Sequence, residues 1–340
     1  MDSLSQPDLP VGVTPRDFAG DADAPAVVSV LEQSWRADGI EMTATPNTVI
    51  RLFSPRPGFD PARQALLVTD ESGRVVAFAR HLVERLRDGS EVYGQHFAVI
   101  PAWRERGVER ALLDWNEGRL RDLAARASEA GATDDTGSRA LSWLVPLHAG
   151  EAALIARLTA AGYAPVHQDL DMLRPTLDAV VPVALPDGFT LRPVTTDQFP
   201  ALYLAYKSFF ADAFDPTPAS DPDYLRWIGR RCFQDLSLCH VAWSGERVAG
   251  MALCAISAEE NARFGRARGL VEHVGVVAAF RGRGLARALL ARALATLRDH
   301  GMREASLVVE ARNKYGAIRL YERAGFVANG VAATYAKPLA

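Results

Sequence analysis

The sequence predicts an α+β chain made of two tandem copies of one unit. Three observations predict it: a loose internal repeat, strand-like runs alternating with helix-period runs, and a strand that ends in a Gly- and Arg-rich turn opening a helix. Four stretches recur in the same order. Leu9–Phe18 resembles Leu185–Val194, and Ser72–Ala77 resembles Gly245–Gly250. Val99–Glu109 aligns without gaps on Val276–Ala286, and Ala160–Tyr163 sits where Arg323–Phe326 sits in the second copy. Between the copies, Arg174–Gly188 carries Pro175, Pro182 and Pro186 and reads as an extended connector. That places the domains at residues 1–180 and 181–340. A length of 340 residues suits two ordinary domains. Ser128–Ser138 is small and polar and reads as a loop within the first copy.

In the second copy, a strand at Phe189–Pro193 comes first, then helices near Thr196–Ala211 and Pro222–Cys232. Strands follow at Ser237–Trp243, Arg247–Ser257 and Gly269–Val277. A long helix, Gly284–His300, places Leu285, Leu289, Leu290, Leu294 and Leu297 on one face, which marks that stripe as core. A strand at Glu304–Val309, a helix at Lys314–Ala324 ended by Gly325, and a last strand near Gly330–Lys337 complete the unit.

The turn is the most informative stretch. Val274–Ala286 reads VGVVAAFRGRGLA: an apolar, β-branched run leading into Arg281-Gly282-Arg283-Gly284-Leu285-Ala286. Backbone N–H groups at such a helix start converge on an anion, the helix dipole adds partial positive charge, and the glycines let the backbone come close. The arginines add charge-assisted donors. No Gly-Lys-Ser/Thr follows, so this is no Walker A loop, and the dinucleotide G-x-G-x-x-G pattern is absent here.

The spacing Arg281-x-x-Gly284-x-Ala286 resembles the acyl-CoA pyrophosphate loop of the GNAT N-acetyltransferases. Asn313, Tyr321 and Gly325-Phe326 match, in order and spacing, that family's Asn before its last helix, the Tyr on it and the Gly-Phe after it. The resemblance covers nearly the whole chain. It implies two tandem GNAT domains, each a mixed, mostly antiparallel sheet flanked by helices. It also implies acetyl-CoA as co-substrate and transfer of acetyl to a primary amine of a small molecule, by direct attack in a ternary complex.

Roles follow from the resemblance residue by residue. The segment Val276, Val277 and Ala278 is expected to pair with the pantetheine arm, with the Val276 N–H facing the thioester oxygen. Arg281, Gly282, Arg283, Gly284, Leu285 and Ala286 are expected to hold the pyrophosphate. Asn313 is expected either to contact the CoA arm or to cap the following helix. Glu272 is the candidate base, or else a binder of the substrate ammonium. It lies four residues before Val276, so strand alternation puts the two on one face and His273 on the other. Tyr321 is the candidate acid for the departing thiolate, with Tyr315 second. Asp212, Asp215, Asp221, Asp223 and Trp227 form either an acidic rim for a cationic acceptor or a solvated loop.

In the first copy these features are replaced. Glu109 stands for Ala286, Gln95 for Glu272, Leu158 for Tyr321 and Gly150 for Asn313. A carboxylate in an anion cradle opposes phosphate, and glutamine is no base. The first copy is therefore expected to be catalytically degenerate, keeping only Arg104, Arg106 and Gly107.

Composition sets the limits. A net charge of −3 argues against a nucleic-acid partner held by bulk electrostatics. No apolar run approaches membrane-spanning length, so no membrane partner is expected. The start, MDSLSQPDLP, shows no signal-peptide pattern, and Cys232, Cys239 and Cys254 lack framework spacing. Together these point to the cytoplasm. Arg carries nearly all positive charge, with Lys207, Lys314 and Lys337 the three lysines, which suggests GC-rich bacterial coding. The seven histidines show no metal-ligand spacing, so no metal is expected. A monomer or homodimer suits the organisation. The alternatives to acetyl transfer are a CoA-binding sensor or scaffold without turnover, and a transferase of a longer acyl group.

Overall fold

The computed structural model describes residues 6–85, 91–129, 139–209, 223–313 and 315–339. The first half of the chain runs β1 (Val13–Asp17), α1 (Ala24–Ala37), α2 (Pro46–Phe53), α3 (Pro61–Gln64), β2 (Ala65–Asp70), β3 (Val75–Arg85), β4 (Glu91–Val99), α4 (Val108–Glu129), β5 (Arg139–Trp143), β6 (Leu147–His148), α5 (Ala152–Ala160) and β7 (Ala164–Arg174). The second half runs β8 (Thr190–Arg192), α6 (Phe199–Phe209), α7 (Asp223–Ile228), β9 (Cys239–Ser244), β10 (Arg247–Ile256), α8 (Ala258–Phe264), β11 (Arg268–Val276), α9 (Leu285–Asp299), β12 (Glu304–Glu310), α10 (Ala317–Arg323) and β13 (Val327–Pro338).

Two compact units emerge. The first holds residues up to His167 together with the chain end from Ala333; the second holds Gln168 to Ala332 over its described residues. The sheet of the first unit has the order β1-β2-β3-β4-β5 followed by the end of β13, and that of the second β7-β12-β11-β10-β9-β8. Both are antiparallel except for one parallel pair, β4 with β5 and β11 with β12. A parallel pair needs a crossover, and the long helices α4 and α9 supply it. Each unit takes its last strand from the other half of the sequence: Ala336 pairs with Ser142, and Arg174 with Ala305. A single cut at residue 180, as the proline-rich connector suggests, does not follow this division. Composition marks where the chain is extended, not which sheet an extended strand joins.

The long helix is core, as its leucine stripe predicts. Leu285, Leu289, Leu290, Leu294 and Leu297 are at most 1% exposed and pack with Val271, Val276 and Tyr321 on one sheet face of the second unit. Replacing any one with alanine costs about 2–5 kcal/mol. The opposite face packs against α6 and α7 through Leu202, Phe209, Trp227 and Leu253. Trp227 is 2% exposed, so it belongs to this core and not to a rim. Asp212, Asp215 and Asp221 lie outside the described residues. Helix α8 escaped the sequence reading, although Ser257 and Glu260 carry its start signal: the Ser257 hydroxyl accepts from the Glu260 N–H.

Buried neutral histidines make the fold acid-sensitive. Burial first, and a neighbouring Arg next, push His96 well below its ordinary range and His273 down to about 3. Burial also lowers His81 and His240 to about 4. The unfolded chain protonates these rings below about pH 6.5, so stability is full above that value and falls as pH drops toward the folded values. With two such rings per unit, the slope approaches about 2.7 kcal/mol per pH unit for each. The urea midpoint is expected to fall steadily from pH 6.5 to 4.5. A flat midpoint over that range would show the rings charged in the folded chain.

Candidate active site

The site is organised by one irregularity in β11. On its β10 side, Leu253 pairs with His273 and Cys254 with Val271, so Glu272 is an extra residue, a β-bulge. The bulge resets the alternation. Glu272 and His273 face the same side, toward α6, α7 and the turn after them, while Val276 packs on α9. The regular-strand expectation, with Glu272 beside Val276 and His273 opposite, is corrected by that single residue.

The bulge accompanies a second departure. β11 pairs with β12 only from Arg268↔Glu304 to Leu270↔Ser306. Among the described residues no ladder pair joins them further on. The Val277 N–H donates to the Ala249 carbonyl at 2.9 Å, so by alternation the Val276 N–H points away from β10, toward the opened side. The first unit shows the contrast. There β3 and β4 pair without a shift from Ala77↔Val99 to Arg85↔Glu91, and β4 and β5 stay zipped from Glu91↔Arg139 to Gln95↔Trp143.

The turn after β11 has the features of an anion cradle. Gly282 and Gly284 have φ of 76° and 81°, a region where side chains are strained, and a Cβ on either would meet nothing within 4 Å. Gly284 caps α9 without a side-chain bond, and no acidic residue occupies the first turn. The first N–H groups of α9 are thus left for an external acceptor. Arg281 is spent locally: its Nε donates to the Val276 carbonyl at 3.1 Å, and its guanidinium lies 4.3 Å from the Tyr315 ring centroid. Arg283 and Arg287 are exposed. These groups fit a pyrophosphate.

Glu272 is mostly buried, its side chain 16% exposed. Arg231 Nε lies 3.5 Å from its Oε1. Burial first, and the charge of the Glu272 carboxylate next, hold the Cys232 thiol well above its ordinary range. Arg230 Nη1 donates to His273 Nε2 at 2.9 Å. His273 is thus part of the site's polar lining, where the regular-strand reading made it structural. Sequence reasoning missed Arg230 and Arg231, since neither belongs to a motif.

Tyr321 lies in the core cluster with Val276, Leu285 and Phe326 and is 7% exposed. Burial pushes its phenol up to about 12. No described residue takes a hydrogen bond from its hydroxyl. Gly325, at φ 86°, ends α10, and the Phe326 N–H closes on the Tyr321 carbonyl at 3.0 Å. Asn313 Oδ1 accepts from the N–H groups of Tyr315 (3.0 Å) and Ala317 (3.2 Å), so it builds the entry to α10. Tyr315 is 48% exposed and stacks under Arg281.

The counterparts in the first unit are filled from within. Glu109, in the first turn of α4, is 6% exposed and pairs with Arg157 at 3.0 Å, placing an internal carboxylate where an anion would dock. Gln95 and Leu158 are fully buried, and a Cβ on Gly150 would lie 2.0 Å from the Asp38 carbonyl oxygen. Arg104 repeats the Arg281 contact, donating to the Val99 carbonyl at 3.2 Å, and is further clamped by Asp38 at 2.6 Å.

Comparison with known proteins agrees with this geometry. The Acetyltransferase (GNAT) family model matches residues 200–326. A mycothiol acetyltransferase of Beutenbergia cavernae is 30% identical over 338 residues, covering 95% of this chain and 98% of the relative. One from Geodermatophilus obscurus is 29% identical, covering 91% and 92%. Among solved structures, a GCN5-related N-acetyltransferase from Sphaerobacter thermophilus superposes with a TM-score of 0.68 at 26% identity, over 97% of this chain and 96% of that one. A tandem GNAT protein from the clavulanic acid biosynthesis pathway shares the fold, with a TM-score of 0.62 at 18% identity over 96% and 98% of the two chains. With a relative this similar along its whole length, the chain belongs to the GNAT acetyltransferase family, as an N-acetyltransferase with two GNAT units in tandem.

Proposed function

We propose that the second unit transfers the acetyl group of acetyl-CoA to a primary amine of a small molecule, by direct attack in a ternary complex. The first unit is a degenerate copy that performs no chemistry. The observation that carries this reading is the gap between β11 and β12, which opens beside the uncapped start of α9 and has the bulged Glu272 on its margin.

The residues divide the work. Gly282, Gly284 and the N–H groups of Leu285 and Ala286 receive the pyrophosphate, with Arg283 adding charge. The segment Val276–Ala278 lies along the pantetheine arm, and Arg281 and Asn313 hold the turns on either side. Glu272 takes the proton of the attacking amine. The nitrogen lone pair adds to the thioester carbon, and the Val276 N–H receives the developing oxyanion. Collapse breaks the C–S bond, and the Tyr321 hydroxyl protonates the departing thiolate. We place the reaction in the cytoplasm, consistent with three buried cysteines that are all free thiols.

Incubation with acetyl-CoA and a panel of primary amines tests the reading. It is supported if free CoA and an acetylated product mass appear together, and lost if CoA binds and no amine is modified. Tyr321→Phe is expected to lower kcat by roughly ten- to a hundredfold while the KM for acetyl-CoA stays constant. With the phenol up at about 12, the wild-type rate is expected to show no falling limb from Tyr321 below pH 10. An unchanged kcat in the phenylalanine variant would assign the proton to another donor.

A further inference from the structure

We propose that the acceptor carries a carboxylate close to its amine, as an amino acid does, and that Arg230 binds it; this rests on the reading of Glu272 as the group that meets the amine. The two neighbouring arginines differ in one respect. Arg231 is charge-compensated, with Glu260 at 3.0 Å and Glu272 at 3.5 Å. Arg230 has no carboxylate within ion-pair distance among the described residues. Its guanidinium is held by neutral acceptors, His273 Nε2 at 2.9 Å and the Tyr206 hydroxyl at 3.4 Å, and lies 5.8 Å from the Tyr206 ring centroid.

The partners fix the fork without cancelling its charge. His273 is neutral, so its Nε2 accepts and leaves the positive charge of Arg230 intact. His273 is itself held edge-on to Tyr206, ring centroids 5.0 Å apart. A guanidinium offers five donors, and two are in use among the described residues, which leaves donors for a carboxylate.

The bulge gives this arrangement its meaning. In a regular strand Glu272 and His273 would point to opposite faces, and so would the groups they hold. Because Glu272 is the extra residue, its carboxylate and a guanidinium with no carboxylate partner among the described residues are presented on one face. An ammonium on Glu272 and a carboxylate on Arg230 together satisfy a zwitterionic acceptor at two points. A simple amine would leave Arg230 without its counter-ion, and a site built for a polar group rejects analogues that lack it.

Matched acceptors test this: free amino acids, their primary amides, and the amines that lack the carboxyl group altogether. Wild type is expected to favour the acids in kcat/KM by about tenfold or more. Arg230→Gln is expected to erase that preference by lowering the rate on acids alone, and Arg230→Lys to restore part of it. The KM for acetyl-CoA should not move. Equal use of acids and amides by wild type overturns the carboxylate inference and leaves amine acetylation standing. An equal loss on acids and amides in Arg230→Gln also overturns it, assigning Arg230 to holding His273. Acetylation of no member, with acetyl-CoA bound, defeats the underlying reading and this one with it.

Discussion

Replacing Ala286 with glutamate is expected to raise the KM for acetyl-CoA about a hundredfold, equivalent to about 2.7 kcal/mol. The substitution copies into the second unit what the first unit already has. Glu109 sits in the first turn of α4 with Arg157 as its partner. The residue aligned with Arg157 is Leu320, so a glutamate at 286 would lack the counterpart of that partner and would compete with the pyrophosphate for the charge of Arg283. Two like charges about 5 Å apart at a partly screened surface repel by a few kcal/mol. Ala286→Gln separates charge from bulk: a loss as large as that of the glutamate would make the effect steric. Measurement of KM at two salt concentrations adds a check, because only the electrostatic part weakens with screening.

Glu272→Gln is expected to lower kcat by about 10²–10³ with little change in the KM for acetyl-CoA. Glutamine keeps the size and the hydrogen-bonding reach of the side chain while removing its basicity, and it is the residue the first copy carries at position 95. The deficit should narrow as pH rises toward the acceptor's own pKa, since an amine already free needs no base. A variant with normal kcat and a raised acceptor KM would instead mean that Glu272 binds the ammonium and water takes the proton.

Much of the fold was legible because its signals are local. The leucine stripe of α9, Gly325 at the end of α10, and the glycines of the turn before α9 each state a geometric need in the residue type itself. The repeat made the second sheet a template for the first. The bulge was not legible. Val271-Glu272-His273 contains no glycine or proline, and the extra residue exists only relative to the register of β10. The facing of His273 depends on that register, and Arg230 belongs to no motif that would single it out. Asn313 stood between two readings. The structure gives its oxygen to the turn before α10.

The exchange of β7 and β13 bears on why both halves of the chain persist. A chain of two units whose chemistry needed only one of them would ordinarily be free to shed the other by truncation. Here the strand beside β12, from Asp169 to Arg174, is encoded in the first half, and the strand beside β5, from Ala336 to Pro338, in the second. A gene shortened to either half would yield a sheet with a raw edge and an orphan strand. Each half of the sequence is therefore a structural dependency of the other half's sheet. Selection on either sheet extends to the half of the gene that encodes its borrowed strand, and substitutions in β7 or at the end of β13 become mutations of the unit that strand completes.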